Sequence, residues 1–266
     1  MIPSFLLRAL VASVLSAAIA APTGTMLAFG ESEFFVVGIA HAALAGVALG
    51  ILLEPYGLPL APLIGSVVVC IAAALFVAQV GRSAKQLSDE AVAAFFTLAM
   101  GIAVFLMYLI EPSELPRVWG FLLGDPLLLT DADLLLLGIV SGIVVLAMLT
   151  LQREFVYVLF DEEGMAARGV RTGAYYALLL TLSGLAIAVM VRVIGAILVY
   201  AIVLMPAIAA RRIERSVGRT MRTAFLIAIA SQLVGIGISL LVAVSPTAIA
   251  AFAVTAVYVA SLFKQA

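Results

Sequence analysis

Residues 34–53 read "FFVVGIAHAALAGVALGILL", twenty consecutive residues without a charge and with the only histidine of the chain, His41. About 20 mostly apolar residues are what one helix needs to cross the hydrocarbon core of a bilayer. The run is too long for a barrel strand, which alternates in polarity over about 10 residues. Eight further runs of similar character lie near 5–27, 58–80, 91–110, 133–151, 174–191, 193–210, 223–243 and 246–263. Over all 266 residues 65% are hydrophobic and 11% charged, against roughly 25% charged in soluble domains. Such a chain lacks the polar surface to face water on all sides. The sequence therefore specifies an all-α, polytopic transmembrane bundle of eight or nine spans, a single domain over 1–266. Only Arg192 separates the sixth run from the seventh, which leaves the ninth crossing and the side of the N-terminus open.

The first run, Arg8 and "AIAAP" imitate a signal peptide with a small-residue cleavage site. The next span follows so closely that the segment is expected to be retained. Cys70 is the one cysteine, so no internal disulfide and no thiolate cluster is available.

Basic residues orient the bundle, because cytoplasmic loops retain them. With nine spans, Arg82, Lys85, Arg153, Arg168, Arg171, Arg211, Arg212, Arg215, Arg219, Arg222 and Lys264 fall on one side and Arg8, Arg117 and Arg192 on the other. The first side is cytoplasmic, and the chain ends there. Its longest loop, 152–173, contains "DEEGMAARG", in which Asp161, Glu162 and Glu163 precede a small-residue turn closed by Arg168 and Gly169. Acids first and a base last suit a helix dipole, and glycine suits the C-terminal cap. The segment is a short surface helix or a solvated connector. The basic loop "RRIERSVGRTMR" anchors the inner face.

The outer loop, 111–133, reads "EPSELPRVWGFLLGDPLLLTDAD". Its prolines and glycines break a continuous helix, and Trp119 suits the membrane interface. It is a gate, a docking ledge for an external protein, or a plain cap.

Several chemistries are excluded. With two lysines and no Gly-x-x-x-x-Gly-Lys-Ser/Thr loop, the chain cannot hold ATP in the usual phosphate cradle. No His-Glu-x-x-His or paired-histidine pattern is present, which removes ordinary zinc catalysis. Ser66, Ser183, Ser231 and Ser239 lie in spans with no histidine nearby, so hydrolysis is not expected. The chain is a membrane body, not an enzyme, and any energy source lies elsewhere.

Six segments, in order, resemble the permeases of ABC importers for manganese, zinc and iron. "SFLLRALVASVLSAAIAAPTGTMLAF" is similar to the family's first span. "GIAHAALAGVALG" resembles Gly-Asp-Ala-x-x-His-x-x-x-x-Gly-Val-x-x-Gly from the histidine onward, and "LSDEAVAAFFTLAMGIAVFL" resembles Asp-x-Ala-Ile-Gly-x-x-Phe. "LLGDPLLLTDADL" resembles Phe-Gly-Asp-x-Leu-Leu, and "FDEEGMAARGVRTG" resembles Phe-Asp-x-x-x-Ala-x-x-x-Gly. "RVIGAILVYAIVLMPAIAAR" is similar to Val-Gly-x-Leu-Leu-Val-x-x-x-x-x-x-Pro-Ala-x-x-Ala.

The resemblance implies the ABC importer permease fold in the cell membrane. It implies a permease homodimer, two cytoplasmic ATPase subunits that hydrolyse ATP, an external metal-binding protein, and a divalent metal as cargo. No covalent cofactor and no nucleic-acid partner is implied. The loop carrying Asp161, Glu162, Glu163, Ala166, Arg168 and Gly169 becomes the helix that docks on the ATPase. A permease moving another substrate, or a non-transporting scaffold, is the alternative.

Two departures weaken the metal reading. The family's acid four residues before the histidine is Val37, and the acid of its Asp-x-Pro-Ser-Gly segment is Val244. An acid and a histidine at i and i+4 share a helix face and together bind a divalent ion. His41 alone is half of that motif, to be completed by Met100, Met107, Met190, Met205 or Asp125, or else it is a packing imidazole. Gly46 and Gly50 continue a small-residue stripe from Ala42 that lets helices approach. Pro206 is a kink that lines a pathway or merely bends its helix.

Overall fold

A computed structural model describes residues 3–57, 61–84, 89–242 and 244–263, with side chains for all of these except 81–84 and 89–91. Lys85 and Lys264, counted above for orientation, lie outside the described residues, as does the side chain of Arg82. Every element among the described residues is helical. In chain order these are α1 (Ser4–Phe29), α2 (Glu33–Leu53), α3 (Ala61–Ala84), α4 (Asp89–Leu109), α5 (Leu115–Leu123) and α6 (Asp131–Thr150). They continue with α7 (Gln152–Phe160), α8 (Glu162–Ala167), α9 (Thr172–Ile194), α10 (Val199–Ile213), α11 (Val217–Val242) and α12 (Pro246–Phe263). Short 3₁₀ turns at Glu54–Tyr56 and Pro126–Leu128 complete the list.

Among the described residues eight helices are long and apolar enough to cross a membrane: α1, α2, α3, α4, α6, α9, α11 and α12. The ninth apolar run is α10, with 15 residues, about 22 Å of helix at 1.5 Å per residue. The break before it is not at Arg192, which lies inside α9, but at Gly195, whose φ is +92°. There the chain passes so close to Gly124 and the end of α5 that a Cβ on either glycine would strike the other segment's backbone.

Contacts between distant segments fix the two ends of the bundle. At one end the start of α1 meets the start of α6 (Arg8 Nε to Asp131 Oδ1, 2.7 Å), and Arg117 of α5 meets Glu54 beyond α2. At the other end Arg211 of α10 donates to the carbonyl of Ala28 in α1, and the rings of Phe29 and Phe160 meet edge to face at 5.7 Å. Hence α10 begins beside α5 at the first end and finishes at the second. Short as it is, it runs from one end of the bundle to the other, so nine helices run end to end among the described residues. The end holding α7, α8 and the 211–222 arginines is the cytoplasmic one by the distribution of basic residues. The start of α1 is therefore external and the end of α12 internal.

Helices α2 and α9 form the centre: 72% of the residues in the most apolar window of each are buried, against 17% for α4. Hydrophobic sequestration gives helices little reason to associate in lipid, so close van der Waals packing of small residues has to do it. The α2–α3 contact depends on this. A Cβ on Gly46 would run into the backbone of Gly65 and Ser66, and one on Gly50 into Ala61 and Pro62. Gly24 of α1 lies in the same way against the Val203 carbonyl of α10.

Candidate functional site

His41 lies half-buried on α2. Its Nδ1 is 2.8 Å from the carbonyl oxygen of Val37. A carbonyl only accepts, so Nδ1 carries a proton, and in the neutral ring Nε2 keeps the lone pair. The ring packs edge to face on Phe96 of α4, with centroids 4.7 Å apart. The backbone of the residue that replaces the acid thus orients the imidazole, leaving one nitrogen able to bind a cation.

The proposed helpers are spread over several elements. Asp125 sits in the outer loop, where its Oδ1 accepts from the Leu127 amide at 2.9 Å. Met190 is fully buried in α9, and Met107 and Met205 pack against the general core. Met100 is half-buried on α4, and Val244 is half-exposed between α11 and α12. Among the described residues no three His, Cys, Asp or Glu side chains stand close enough to share a metal ion.

Sequence reading overlooked Gln232, the only amide within the 223–243 run. It is buried in α11, where its Oε1 accepts from Ser16 Oγ of α1 at 2.8 Å. Its Nε2 reaches the Ser13 and Ala228 carbonyls at 3.5 and 3.4 Å. A cavity of about 10 Å³ adjoins Ser13, Gln232 and Thr247, room for about one water. A polar residue inside an apolar run was the available signal.

Pro206 is buried within α10 without ending it. Lacking an N–H, it leaves the Ile202 carbonyl without its helical donor. Nearby in α1, the buried hydroxyls of Thr23 and Thr25 on either side of Gly24 have no hydrogen-bond partner.

At the cytoplasmic end, α7 and α8 form a bent pair. The Asp161 carboxylate accepts from the Gly164 amide at 3.1 Å and caps α8. Glu162 accepts from Thr172 Oγ1 at 3.2 Å, fixing α8 to the start of α9. Gly169, at φ +79°, reverses the chain after the helix. Asp161, Glu162, Glu163, Ala166, Arg168 and Gly169 are all exposed. The spacing from Phe160 aligns the loop's alanine with Met165 rather than Ala166. Met165 is the buried residue of α8 and holds the helix down, whereas Ala166 faces outward.

At the outer end, α5 packs against α2 and α9. Val118 and Phe121 are buried beneath it, while Trp119 and Leu123 are exposed. The Ala196 and Ile197 amides donate to the Phe121 and Leu122 carbonyls at 3.1 and 3.3 Å, joining the end of α5 to the α9–α10 break. Asp133 works twice. It forms a capping box with Thr130 and receives Arg192 at 3.1 Å, the two side chains being only 10% and 20% exposed. Arg192 also lies over the Phe121 ring, 5.2 Å from its centroid. Arg117 is held between Glu54 and Glu114 at 2.6 and 2.7 Å. Hydrogen bonds to Glu54 first and Glu114 second raise its pKa above the ordinary value. Exposed pairs of this kind contribute only about 0–1 kcal/mol, so this trio fixes the position of α5 more than it stabilises the fold.

A sequence model of the ABC 3 transport family matches residues 3–265. A probable metal transport system membrane protein of Chlamydia pneumoniae is 30% identical over 211 residues, 76% of this chain and 69% of that protein. The high-affinity zinc uptake system membrane protein ZnuB of Haemophilus influenzae is 24% identical over 262 residues, 98% of this chain and 97% of its own. Among solved structures, PsaBC from Streptococcus pneumoniae in complex with Fab superposes with a TM-score of 0.84 at 21% identity, covering 98% of this chain and 91% of that one.

Proposed function

The chain belongs to the ABC 3 transport family, and from that premise we propose that it is the membrane-spanning permease of an ATP-driven importer of divalent metal. The observation that carries this reading is extent. The chain matches the zinc-uptake membrane protein over nearly the whole of both chains.

Two copies would form the pathway, with ATP hydrolysed in a partner. The exposed face of α8 is the seat for a cytoplasmic ATPase: a short capped helix, pinned by Met165 and Thr172, transmits a push without absorbing it. The route from there runs through α9 and α10 to the outer loop, with Pro206 as the bending point. ATP and the docked binding protein would bias this route between inward and outward states. His41 Nε2 is the one imidazole nitrogen that meets the cargo.

A second reading has one observation in its favour. With Val37 and Val244 in place of carboxylates, the spans offer little to replace the hydration shell of a bare divalent ion. A permease of this build also suits a metal complex that carries its own ligands.

Uptake of radioactive manganese, zinc and iron into vesicles that hold the permease, its ATPase and its binding protein tests both. We expect ATP-dependent accumulation of at least one metal. A hydrolysing complex that accumulates none of them as free ions overturns the bare-ion reading, and uptake only with a chelator present establishes the second.

A further inference from the structure

Beneath the outer loop, α1, α9, α10, α11 and α12 converge on the small cavity beside Gln232, and Pro126 of that loop lines it as well. Its walls are mostly apolar, yet three polar groups there are poorly served. Gln232 Oε1 is held by Ser16 Oγ at 2.8 Å, which fixes the orientation of the amide. Its Nε2 must then place two protons, and the Ser13 and Ala228 carbonyls stand at 3.5 and 3.4 Å. Thr247 Oγ1 is 3.4 Å from the Gly124 carbonyl. Protein N–H···O bonds centre on about 2.9–3.0 Å and O–H···O bonds on less, so these contacts are all at the outer limit. The third group is a carbonyl. Ile202 lines the same cavity, and Pro206, four residues on, has no N–H to give it.

A cavity of about 10 Å³ is the size of one water, which is held where two to four polar groups surround it. We infer that one ordered water binds here and is the joint on which α10 turns. It accepts from Gln232 Nε2 and donates to the Ile202 carbonyl and to Thr247 Oγ1, whose own proton stays with Gly124. When α10 bends at Pro206, the segment before the proline swings. A fixed donor would lose the Ile202 carbonyl during that motion. A water re-aims its bonds and bridges nearly as well as a direct contact. Gln232 is thus a positioning residue for α10, acting through the water. The water site stands on packing and chemistry, and only its role as a joint rests on the importer reading.

Hydroxyl radicals generated by short X-ray pulses in the permease–ATPase complex, held in nanodiscs, test both parts, because a bound water delivers the radical to buried neighbours. Ile202 lines the cavity at 1% exposure, whereas Ile19 and Ile187, at 0%, do not. Ile202 should oxidise about tenfold faster than either, as expected beside a buried water. The rate should be alike in the nucleotide-free complex and in the complex trapped with ADP and vanadate. Gln232→Met keeps the length of the side chain and removes the donor, so Ile202 should fall to the rate of Ile187. The same variant should lower maximal ATP-driven uptake about threefold and leave the half-maximal concentration unchanged, as for a group that acts on turnover rather than on cargo binding. Gln232→Asn, which still donates, should recover part of both.

An Ile202 as inert as Ile187 in the unaltered complex means a dry cavity and overturns the inference; that comparison needs no variant to fold. Equal oxidation of Ile202 with and without Gln232→Met overturns it too, because the water then arrives by another route. Oxidation that disappears in the trapped complex overturns the joint. A complex that oxidises as expected in both states yet accumulates no metal keeps the water and the joint and sinks the cargo reading.

Discussion

At the scale of single residues, His41 is where the bare-ion and metal-complex readings part. A half-buried imidazole hydrogen-bonded to its own helix is structurally content, and nothing in its surroundings demands a metal. Its Nδ1–H is engaged by Val37 O, so deleting the ring removes one local bond and the edge contact with Phe96. His41→Ala should therefore fold and assemble normally. If Nε2 meets a bare ion, uptake at limiting metal falls about tenfold or more, the size of loss seen even for groups one step removed from a metal. Val37→Asp supplies the complementary test. It places a carboxylate one turn before His41, on the same face, and near the end of α2, where an acid costs less than the about 2.5–3.5 kcal/mol of a span's centre. For a bare-ion permease it should lower the concentration of half-maximal uptake, whereas for a carrier of complexed metal both variants should leave that concentration unchanged. The histidine and its missing acid were legible in the sequence. The ring contact with Phe96 was not, because only the folded chain says that α4 is the helix opposite.

Among the elements, α8 shows how little sequence a surface helix needs when tertiary contacts hold it. Six residues are far too few for a helix stable by itself in water. The acids-first, glycine-last pattern pointed to a helix here, and the structure adds what keeps it in place: the Asp161 cap, the Glu162–Thr172 bond and buried Met165. The cap and the charge of Asp161 are separable. Asparagine caps as well as aspartate, while alanine costs about 1 kcal/mol. Asp161→Asn should therefore keep the coupling of ATP hydrolysis to uptake. Asp161→Ala should lower uptake per ATP hydrolysed with basal hydrolysis retained, measured on the same reconstituted complex. Equal losses in both variants would mean that the carboxylate itself contacts the ATPase. The α9–α10 boundary went the other way. Arg192 looked like the interruption because charges usually end spans, yet it stays helical since Asp133 and the Phe121 ring receive it below the surface. The true break needs the approach of Gly124 to Gly195, a contact across 70 residues of chain that no local pattern encodes.

For the molecule as a whole, the count of crossings follows from which ends meet. Composition made the helical membrane class plain, and eight of the nine spans announce themselves by length and hydropathy. The ninth, α10, is too short to be recognised alone, so the side of the first residues hangs on it. Contacts between helix ends run it from the outer end of the bundle to the inner one: Arg8 lies with Asp131, and Arg211 with Ala28. Cys70 is completely buried, so the natural chain offers an impermeant maleimide little to react with, and single introduced cysteines give a clean readout. Ser4→Cys and Glu111→Cys, both at exposed positions, should label in intact cells. Ala167→Cys and Arg215→Cys, also exposed, should label only after permeabilisation. If Ser4→Cys joins the second group while Glu111→Cys stays in the first, α1 enters from the inside and one crossing is lost. The pairing of Arg8 with Asp131 would then be impossible, since Asp131 follows Glu111 on the outer face. Agreement of all four positions requires the 15 residues of α10 to span, and a helix about 22 Å long does so only where the hydrocarbon layer is thinned or covered. The neighbours provide that cover: α1, α11 and α12 pack along α10, leaving its Val199, Ile202, Val203 and Pro206 buried in protein rather than exposed to lipid.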